Sequence, residues 1–355
     1  MVKQLRELTG AGVLACKNAL VDCDGDIDKA VDVLRKKGEA TAVKKASRIA
    51  AEGIVSVVVK DNTAVIVEVN SETDFVAKNE KFQQFVADVV ESIFASQAAD
   101  VEALLEDKFA ADPSKTVREA LVSIIATIGE KITIRRFAKI ATGGMVVPYI
   151  HGAGRIGVVV ESASADNDAN REALKNIAMQ IAAMNPQCIS EADLSQEELA
   201  NLREVIVDSA LNTPDTLPKP ILNRLFGEVL SGNLWSAEDT AVYEEQKNNM
   251  NYIFNFLSDD AKKIVAAQAM KDKDEITADK IFNGLVEGRF AKQLKEICLV
   301  DQVYVKAEDG KQSVGKYLAS VDKDLAIAGF VRFEVGEGIE KKQENFAEEV
   351  AKQMA

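Results

Sequence analysis

The stretch GGMVVPYIHGAGRIGVVVES, Gly143 to Ser162, decides between two classes of fold. The spacing Gly152-x-Gly154-x-x-Gly157 has the letters of a dinucleotide-binding loop. Such a loop follows a strand and opens a helix, whose N-terminus then binds the phosphates. Here Gly157 opens the β-branched run VVVES, so we place the glycines at a hairpin turn, where positive φ or close backbone approach is needed. The pattern therefore predicts a β-hairpin and argues against an NAD-linked oxidoreductase.

The same pattern occurs earlier in the chain. GIVSVVVKDNTAVIVEVN, residues 53–70, has two β-rich runs around the turn residues Lys60-Asp61-Asn62. An amphipathic helix follows each hairpin, and the two units begin roughly 90 residues apart. KITIRRFAKI adds a further strand to the first unit. The fold class predicted is α+β, with a core of two related antiparallel sheet-plus-helix subdomains at 54–140 and 141–335.

Residues 1–50 predict a small three-helix domain with a linker to about residue 53. The first helix ends near Leu8, a Gly10-Ala11-Gly12 turn follows, and a second helix starts at Val13. Asp26 is expected to cap a third helix, and Gly38 is expected to end it.

Residues 190–300 have a helical pattern and are expected to interrupt the second subdomain as a coiled-coil-like insertion. The chain then returns to β structure at about 301–306 and 327–335. Residues 336–355 form a C-terminal module, with a charged amphipathic helix expected from about Lys341 to Met354.

Composition restricts the function further. The chain has 355 residues and a formal charge of −14, which disfavours direct nucleic-acid binding in general. No apolar run is long enough to cross a membrane, and the N-terminus lacks the apolar core of a signal peptide. Four scattered cysteines are typical of a reducing compartment, so a cytoplasmic location is expected. One basic run is interpreted as a solvated helix face or linker, or alternatively as a contact for an acidic partner: Arg35, Lys36, Lys37, Lys44, Lys45 and Arg48.

The sequence lacks the common motifs of catalytic and metal sites. His151 is the only histidine, and no Ser-His-Asp or Cys-His arrangement, phosphate loop or paired metal motif is found. His151 itself is interpreted as a polar turn residue or as a partner contact. We therefore expect a binding protein rather than an enzyme, with no cofactor and no metal.

One further stretch is much more specific. EVNSETDFVAKNEKF, Glu68 to Phe82, resembles the signature of bacterial translation elongation factor Ts. Four other stretches resemble the same family in the same order: LRELTGAGVLACKNAL, IGEKITIRR, HGAGRIGVVVE and GFVRFEVGEGIEKK. Region 209–290 differs, because it is longer than the family's usual two-helix antiparallel coiled coil.

The resemblance implies a guanine-nucleotide exchange factor that binds elongation factor Tu with GDP and promotes GDP release in translation elongation. It also implies a ubiquitin-associated-like N-terminal domain, a two-subdomain core, a coiled-coil protrusion and a C-terminal module. The alternative is a protein-interaction module without exchange activity, acting through the enlarged helical insertion. The sequence leaves a homodimer open.

The resemblance implies specific partner-binding residues as well. Asp74 and Phe75, flanked by Thr73 and Val76, match a pair that enters the GTPase near its Mg²⁺ site and displaces the nucleotide. Pattern alone favours Phe75 as a core residue, and only the resemblance reverses this; Asp74 is also compatible with a helix cap. Other implied contacts with the GTPase are Arg6, Val13, Leu14, Ile128, Gly129 and His151. The family often has methionine where Val13 and Leu14 stand, and the aliphatic residues keep an apolar contact.

Overall fold

The computed structural model describes residues 1–9, 11–250 and 252–340. The helix expected from Lys341 to Met354 lies outside these residues. The chain divides into two compact units, one built from Met1–Asn185 with the residues from Lys316 onward, the other from Pro186–Gly315. It is a mixed chain of helices and antiparallel sheets, as the sequence predicted at that level.

The helices and strands of the first unit, in chain order, are α1 (Val2–Thr9), α2 (Val13–Asp22), α3 (Ile27–Lys45), β1 (Glu52–Lys60), β2 (Thr63–Ser71), α4 (Asp74–Ala77), α5 (Glu80–Ala95), α6 (Val101–Glu106), β3 (Lys108–Phe109), β4 (Asp112–Thr116), α7 (Val117–Ile128), β5 (Ile132–Ala141), β6 (Met145–His151), β7 (Ile156–Ser162) and α8 (Asp168–Met184). The second unit contains α9 (Gln196–Asn212), α10 (Lys219–Ser231), α11 (Ala237–Gln246), α12 (Asp259–Lys271), α13 (Lys273–Ala278) and α14 (Lys280–Ile297). The chain then continues through α15 (Val314–Val321) and β8 (Gly329–Glu334).

The N-terminal helices α1 to α3 enclose a small apolar core of Leu5, Cys16, Ala19, Leu20 and Ala30. Asp26 caps α3 as expected, with its carboxylate accepting from the Lys29 N–H over 3.1 Å. The predicted stop at Gly38 is wrong, because α3 continues to Lys45. Gly38 instead faces α7, where an added Cβ would lie 3.2 Å from Val122 Cγ1. The glycine therefore allows two helices to pack closely.

The first sheet has the order β1-β2-β5, with both pairs antiparallel. The β1–β2 hairpin pairs Lys60 with Thr63, and Asp61 in the turn has a φ of 51°. One face of this sheet is covered by α5, α6 and α7, which supply much of the largest apolar cluster of the first unit. Asn79 caps α5, and Thr116 forms a reciprocal capping box with Glu119 at the start of α7. These caps fix where α5 and α7 begin.

The second sheet has the order β6-β7-β8 and is also antiparallel. The loop between β6 and β7 leads into a strand, which confirms the predicted hairpin and excludes a dinucleotide loop there. Gly152 and Gly154 have φ values of 59° and 93°. The two sheets meet through apolar side chains that include Val55 and Ile66 from the first sheet and Val159 from the second.

The second unit is a compact helical structure with a core of its own. Its buried apolar cluster draws on α9, α10, α12, α13 and α14. Phe226 is fully buried among the rings of Trp235, Tyr243 and Phe254, with centroid distances of 5.4, 5.4 and 5.7 Å. The helices α9 and α14 contact each other through the Arg203–Glu287 ion pair, and further short helices join them. The unit thus has more helices than the two-helix coiled coil usual in the resembled family, in line with the extra length noted for region 209–290.

The predicted strand at 301–306 is wrong. This segment contains the 3-10 helix Leu299–Asp301 and an isolated bridge between Val303 and Ser313. The predicted return to β structure at 327–335 is confirmed by β8.

Candidate partner-binding site

The turn after β2 carries an exposed aromatic side chain. Thr73 precedes α4, a single turn that begins at Asp74. The side chain of Phe75 is 79% exposed, whereas that of Val76 is only 7% exposed and packs into the core under the sheet. One side of the turn is therefore anchored in the fold and the other projects into solvent. We call residues 73–76 the tip.

A carboxylate from another element holds the tip. Glu130, just beyond α7, accepts a hydrogen bond from the Thr73 N–H over 3.1 Å and another from Thr73 Oγ1 over 2.9 Å. The Ser71 hydroxyl donates to the Thr73 carbonyl over 2.9 Å. These contacts fix the backbone immediately before Phe75.

Glu72 makes a second link between the same two segments. Its carboxylate accepts from the Lys131 N–H over 2.6 Å and from Arg48 Nη1 over 3.0 Å. Partial burial acts to raise the pKa of Glu72, but the Lys131 and Arg48 hydrogen bonds outweigh it and leave the pKa lowered. The Glu72 carboxylate is thus stabilised in its charged form.

Asp74 has a different role from the helix cap that the sequence allowed. The cap position of α4 is Thr73, and Asp74 is the first helical residue. The Asp74 carboxylate accepts from Lys78 Nζ over 2.9 Å. That hydrogen bond and the lysine charge lower the pKa of Asp74. Because both side chains are exposed, this pair is available for exchange with another charged group.

Ile128 and Gly129 lie next to the tip, because Glu130 follows them directly. Gly129 ends α7 in the left-handed region, with a φ of 84°. Its carbonyl accepts from Lys45 Nζ, and Lys131 Nζ donates back to the Ala46 carbonyl over 2.8 Å. Lys45 and Arg48 of the basic run therefore bond to this part of the fold.

Comparison with known protein families includes the same residues. A family model described as Elongation factor TS matches residues 72–337, a range that begins at Glu72 beside the tip. The chain belongs to the elongation factor Ts family. It is 41% identical over 362 residues to Elongation factor Ts of Clostridium novyi (strain NT), an alignment that covers 100% of this chain and 97% of the relative.

Two further relatives named Elongation factor Ts agree over the full length. The protein of Clostridioides difficile (strain 630) is 40% identical over 359 residues, with 100% of this chain and 97% of the relative covered. The protein of Halothermothrix orenii is 39% identical over 355 residues, with 99% and 97% covered. As a member of the elongation factor Ts family, the chain belongs to translation elongation and protein biosynthesis.

Three stretches that resemble the elongation factor Ts family meet at Glu68. The sequence pattern alone did not mark this residue as a candidate. Glu68 lies on β2 and is fully buried. Its carboxylate accepts from Arg135 Nη1 over 3.0 Å, Arg136 Nε over 2.6 Å, Asn70 Nδ2 over 2.9 Å and the Gly336 N–H over 2.8 Å. A lone glutamate within the apolar run AVIVEVN was the signal that could have found it.

The remaining predicted contacts of elongation factor Ts type are also on the surface. Arg6 is exposed near the end of α1, and Val13 and Leu14, in the first turn of α2, are 55% and 69% exposed. His151 is exposed at the end of β6, where Nδ1 lies 3.0 Å from the Tyr149 hydroxyl. The hydrogen bonds bring the tip together with Glu130, whereas no described contact joins it to Arg6 or His151.

Two further observations concern the part of the chain that the structure describes. No group of three histidine, cysteine, aspartate or glutamate side chains there is placed to hold a metal ion. No helix there is both long and apolar enough to cross a membrane.

Proposed function

We propose that this elongation factor Ts family member is a guanine-nucleotide exchange factor. It binds elongation factor Tu with GDP and promotes GDP release in translation elongation. The observation that carries the proposal is the tip, in which an exposed Phe75 stands on a backbone held by Glu130. A protein with this role needs a surface that competes with the nucleotide, and no covalent chemistry.

Linkage explains why binding alone is enough. If the factor binds the nucleotide-free GTPase more tightly than the GDP-bound form, GDP affinity falls by the same ratio. Each tenfold loss of GDP affinity requires about 1.4 kcal/mol of differential contact. Complete burial of a phenylalanine side chain is worth about 1.5–3 kcal/mol, so Phe75 alone can supply one to two decades.

In this proposal Asp74 and Phe75 act together near the Mg²⁺ site of the GTPase. Phe75 enters an apolar space between helices of the partner, as a buried aromatic anchor does at many interfaces. Asp74 is carried with it and exchanges Lys78 for a group of the partner. Thr73 and Val76 keep this pair in place, one through Glu130 and the other through the core.

The other contacts extend the proposed interface. Ile128 and Gly129 are close enough to the tip to act on the phosphate side of the same pocket. Val13, Leu14 and Arg6 supply an apolar and cationic contact to the GTPase domain from the N-terminal helices, and His151 contacts a further domain of the partner.

The proposed functional modules are the docking domain at 1–50, the two core subdomains at 54–140 and 141–335, and the C-terminal module at 336–355. The helical insertion at about 190–300 is expected to lie along the GTPase domain. The alternative is that this insertion carries a separate interaction and that the chain has no exchange activity. Exposed apolar side chains on the second unit, such as Val205 and Phe256, favour that alternative.

The test is release of fluorescent GDP from elongation factor Tu in stopped flow. We expect D74A/F75A to slow stimulated release by about 10- to 100-fold, given the burial energy of one phenylalanine. The thermal unfolding midpoint should change little, because surface substitutions are usually within about 0.5 kcal/mol.

Met184→Ala is the matched control, since it also truncates an exposed apolar side chain but lies at the end of α8 and is assigned to no contact in the proposed interface. No stimulated release by the unmodified chain, together with partner binding that is lost on deletion of 209–290, would support the alternative. Normal release with both variants would reject the role assigned to the tip.

A further inference from the structure

A pair of cysteines flanks the helices α9 to α14 of the second unit. Backbone hydrogen bonds join residues 187–189 to residues 297–300, and we call this pair of segments the neck. Within it, the Leu299 N–H donates to the Cys188 carbonyl over 2.9 Å. Cys188 and Cys298 are direct partners in a parallel bridge. The neck therefore places two residues that are distant in sequence side by side.

The thiols have the geometry of a dithiol ready to be joined. The two sulfur atoms are 3.4 Å apart, and both cysteines are free. Neighbouring strands lie about 4.8 Å apart, which is within the range of about 4.4–6.8 Å between Cα atoms that disulfides span. The sulfurs must approach from 3.4 Å to about 2.05 Å for the bond to form.

We propose that Cys188 and Cys298 are a redox-sensitive modification site at which a peroxide forms an intramolecular disulfide. Hydrogen peroxide first transfers one oxygen to Cys188 Sγ, giving a sulfenic acid and one water. Cys298 Sγ then attacks that sulfur. The S–S bond forms, the S–O bond breaks and a second water leaves. The two thiols lose two electrons and two protons, and the peroxide is reduced to two waters.

Exposure assigns the two roles. Cys188 is 9% exposed and Cys298 is fully buried, so the oxidant reaches Cys188 first and Cys298 resolves the intermediate. Burial raises the pKa of the Cys188 thiol and raises that of Cys298 to about 12. Because the thiolate is the reactive form, oxidation is slow near neutral pH and accelerates as the pH rises.

A metal site is the other common use of paired cysteines. Two thiolates leave a zinc ion with half of its usual four ligands. In the described part of the chain no third histidine, cysteine or carboxylate is placed to complete such a group. The neck therefore supports a pair of thiols that can form a disulfide rather than a zinc site.

The bond has a measurable physical consequence. It closes a loop that contains all the helices from α9 to α14, and a long closed loop restricts the unfolded chain strongly. We expect the melting transition of the second unit to rise by about 10 °C on oxidation and to return on reduction.

The test uses the full chain treated with hydrogen peroxide at neutral and at alkaline pH. We expect intact mass to fall by the two hydrogens of one disulfide, faster at alkaline pH. Peptide mapping should then show Cys188 joined to Cys298, with the melting shift reversed by dithiothreitol. Independent oxidation to sulfinic acids, a link that involves Cys16 or Cys23, a link between chains, or unreactive thiols would overturn the proposal.

Matched variants separate the site from the rest of the chain. Cys188→Ser and Cys298→Ser should each abolish the mass loss and the melting shift. The double variant Cys16→Ser with Cys23→Ser should keep both. The mapping on the unmodified sequence stands even if a serine variant folds poorly, because it needs no substitution.

Discussion

Glu68 illustrates, at the scale of one residue, how a buried charge is stabilised. Removal from water acts to raise the pKa of its carboxyl, and the hydrogen bonds from Gly336, Asn70 and Arg136 outweigh this and lower the pKa. The carboxylate joins β2 to the Arg135–Arg136 pair of β5 and to the chain that follows β8. One side chain thus connects segments far apart in sequence.

We predict that Glu68→Gln lowers the free energy of unfolding by about 2 kcal/mol near pH 7. Loss of one partner from a fully buried ion pair costs about 3–5 kcal/mol, but Arg135 and Arg136 keep 27% and 30% exposure, so water relieves part of the loss. Urea unfolding measures the difference. The matched control is Glu91→Gln, in an exposed pair with Lys60, where less than about 1 kcal/mol is expected. Equal losses in both variants would contradict this account.

The wild type and Glu68→Gln also test how stability depends on pH. The folded pKa of Glu68 is lowered from its ordinary value of 4.5, so the folded state favours the carboxylate. The stabilisation is therefore complete above about pH 4.5 and is lost as the pH falls through the folded pKa. The stability difference between the wild type and Glu68→Gln should shrink in urea unfolding below that pH, and a constant difference would count against it.

At the tip, some residues could be predicted from the sequence and others could not. A motif marked Asp74 and Phe75, but spacing alone allowed Phe75 to be either core or surface, because the period of a one-turn helix is undefined. Glu130, which accepts hydrogen bonds from Thr73, is 57 residues away in the sequence, and no local pattern reveals such a contact. The functional role of both remains a prediction.

At the scale of elements, the β6–β7 hairpin shows why a glycine pattern can serve packing. A Cβ added to Gly157 would lie 2.5 Å from Val55 Cγ1 and 2.9 Å from Val57 Cγ2. One added to Gly154 would lie 2.4 Å from Ile54 Cγ1, and the Gly154 carbonyl accepts from the Val55 N–H over 2.7 Å. The hairpin lies so close to β1 that side chains are excluded at both positions.

We predict that Gly157→Ala destabilises the protein by about 1–3 kcal/mol, because the extra carbon overpacks the contact between the sheets. Gly143→Ala is the control, since a Cβ there would meet nothing within 4 Å. Thermal unfolding followed by circular dichroism compares the two. A Gly157→Ala protein as stable as the control would mean that the sheets can separate without cost.

Element prediction succeeded where a period or a cap was local. The two hairpins, the helices α5 and α8 that follow them, and the Asp26 cap follow directly from alternation, helical spacing and short polar side chains. Gly38 was wrongly predicted to end α3, because the glycine serves close packing against α7, which is distant in the sequence. The apolar spacing of 301–306 is typical of a strand, but in the described part of the chain this segment forms one isolated bridge and no ladder. A strand needs a partner, and a single sequence does not show whether one is available.

At the scale of the whole molecule, the chain has two compact units with separate apolar cores. The second has Phe226 at the centre of its ring cluster, and the sequence indicated only that this region is helical and rich in apolar residues. Its compact form depends on contacts among several short helices, which helical spacing alone does not specify.

We predict that Phe226→Ala destabilises the second unit selectively. A cavity of this size costs about 3–5 kcal/mol, because the surrounding rings relax only in part. Hydrogen–deuterium exchange should accelerate at amides within 186–315 and stay unchanged in the buried strands β2 and β7. Equal acceleration in those strands would show that the two units unfold as one.

The neck has a consequence for how this chain can change length over evolution. Because the outgoing and returning segments are adjacent at Cys188 and Cys298, the residues between them begin and end at neighbouring positions. Residues can be gained or lost between them while the backbone pairing of 187–189 with 297–300 is kept, just as inserted domains are tolerated where chain ends lie together. A lineage can thus change the number of residues in this segment and keep the two neighbouring positions at which it starts and ends.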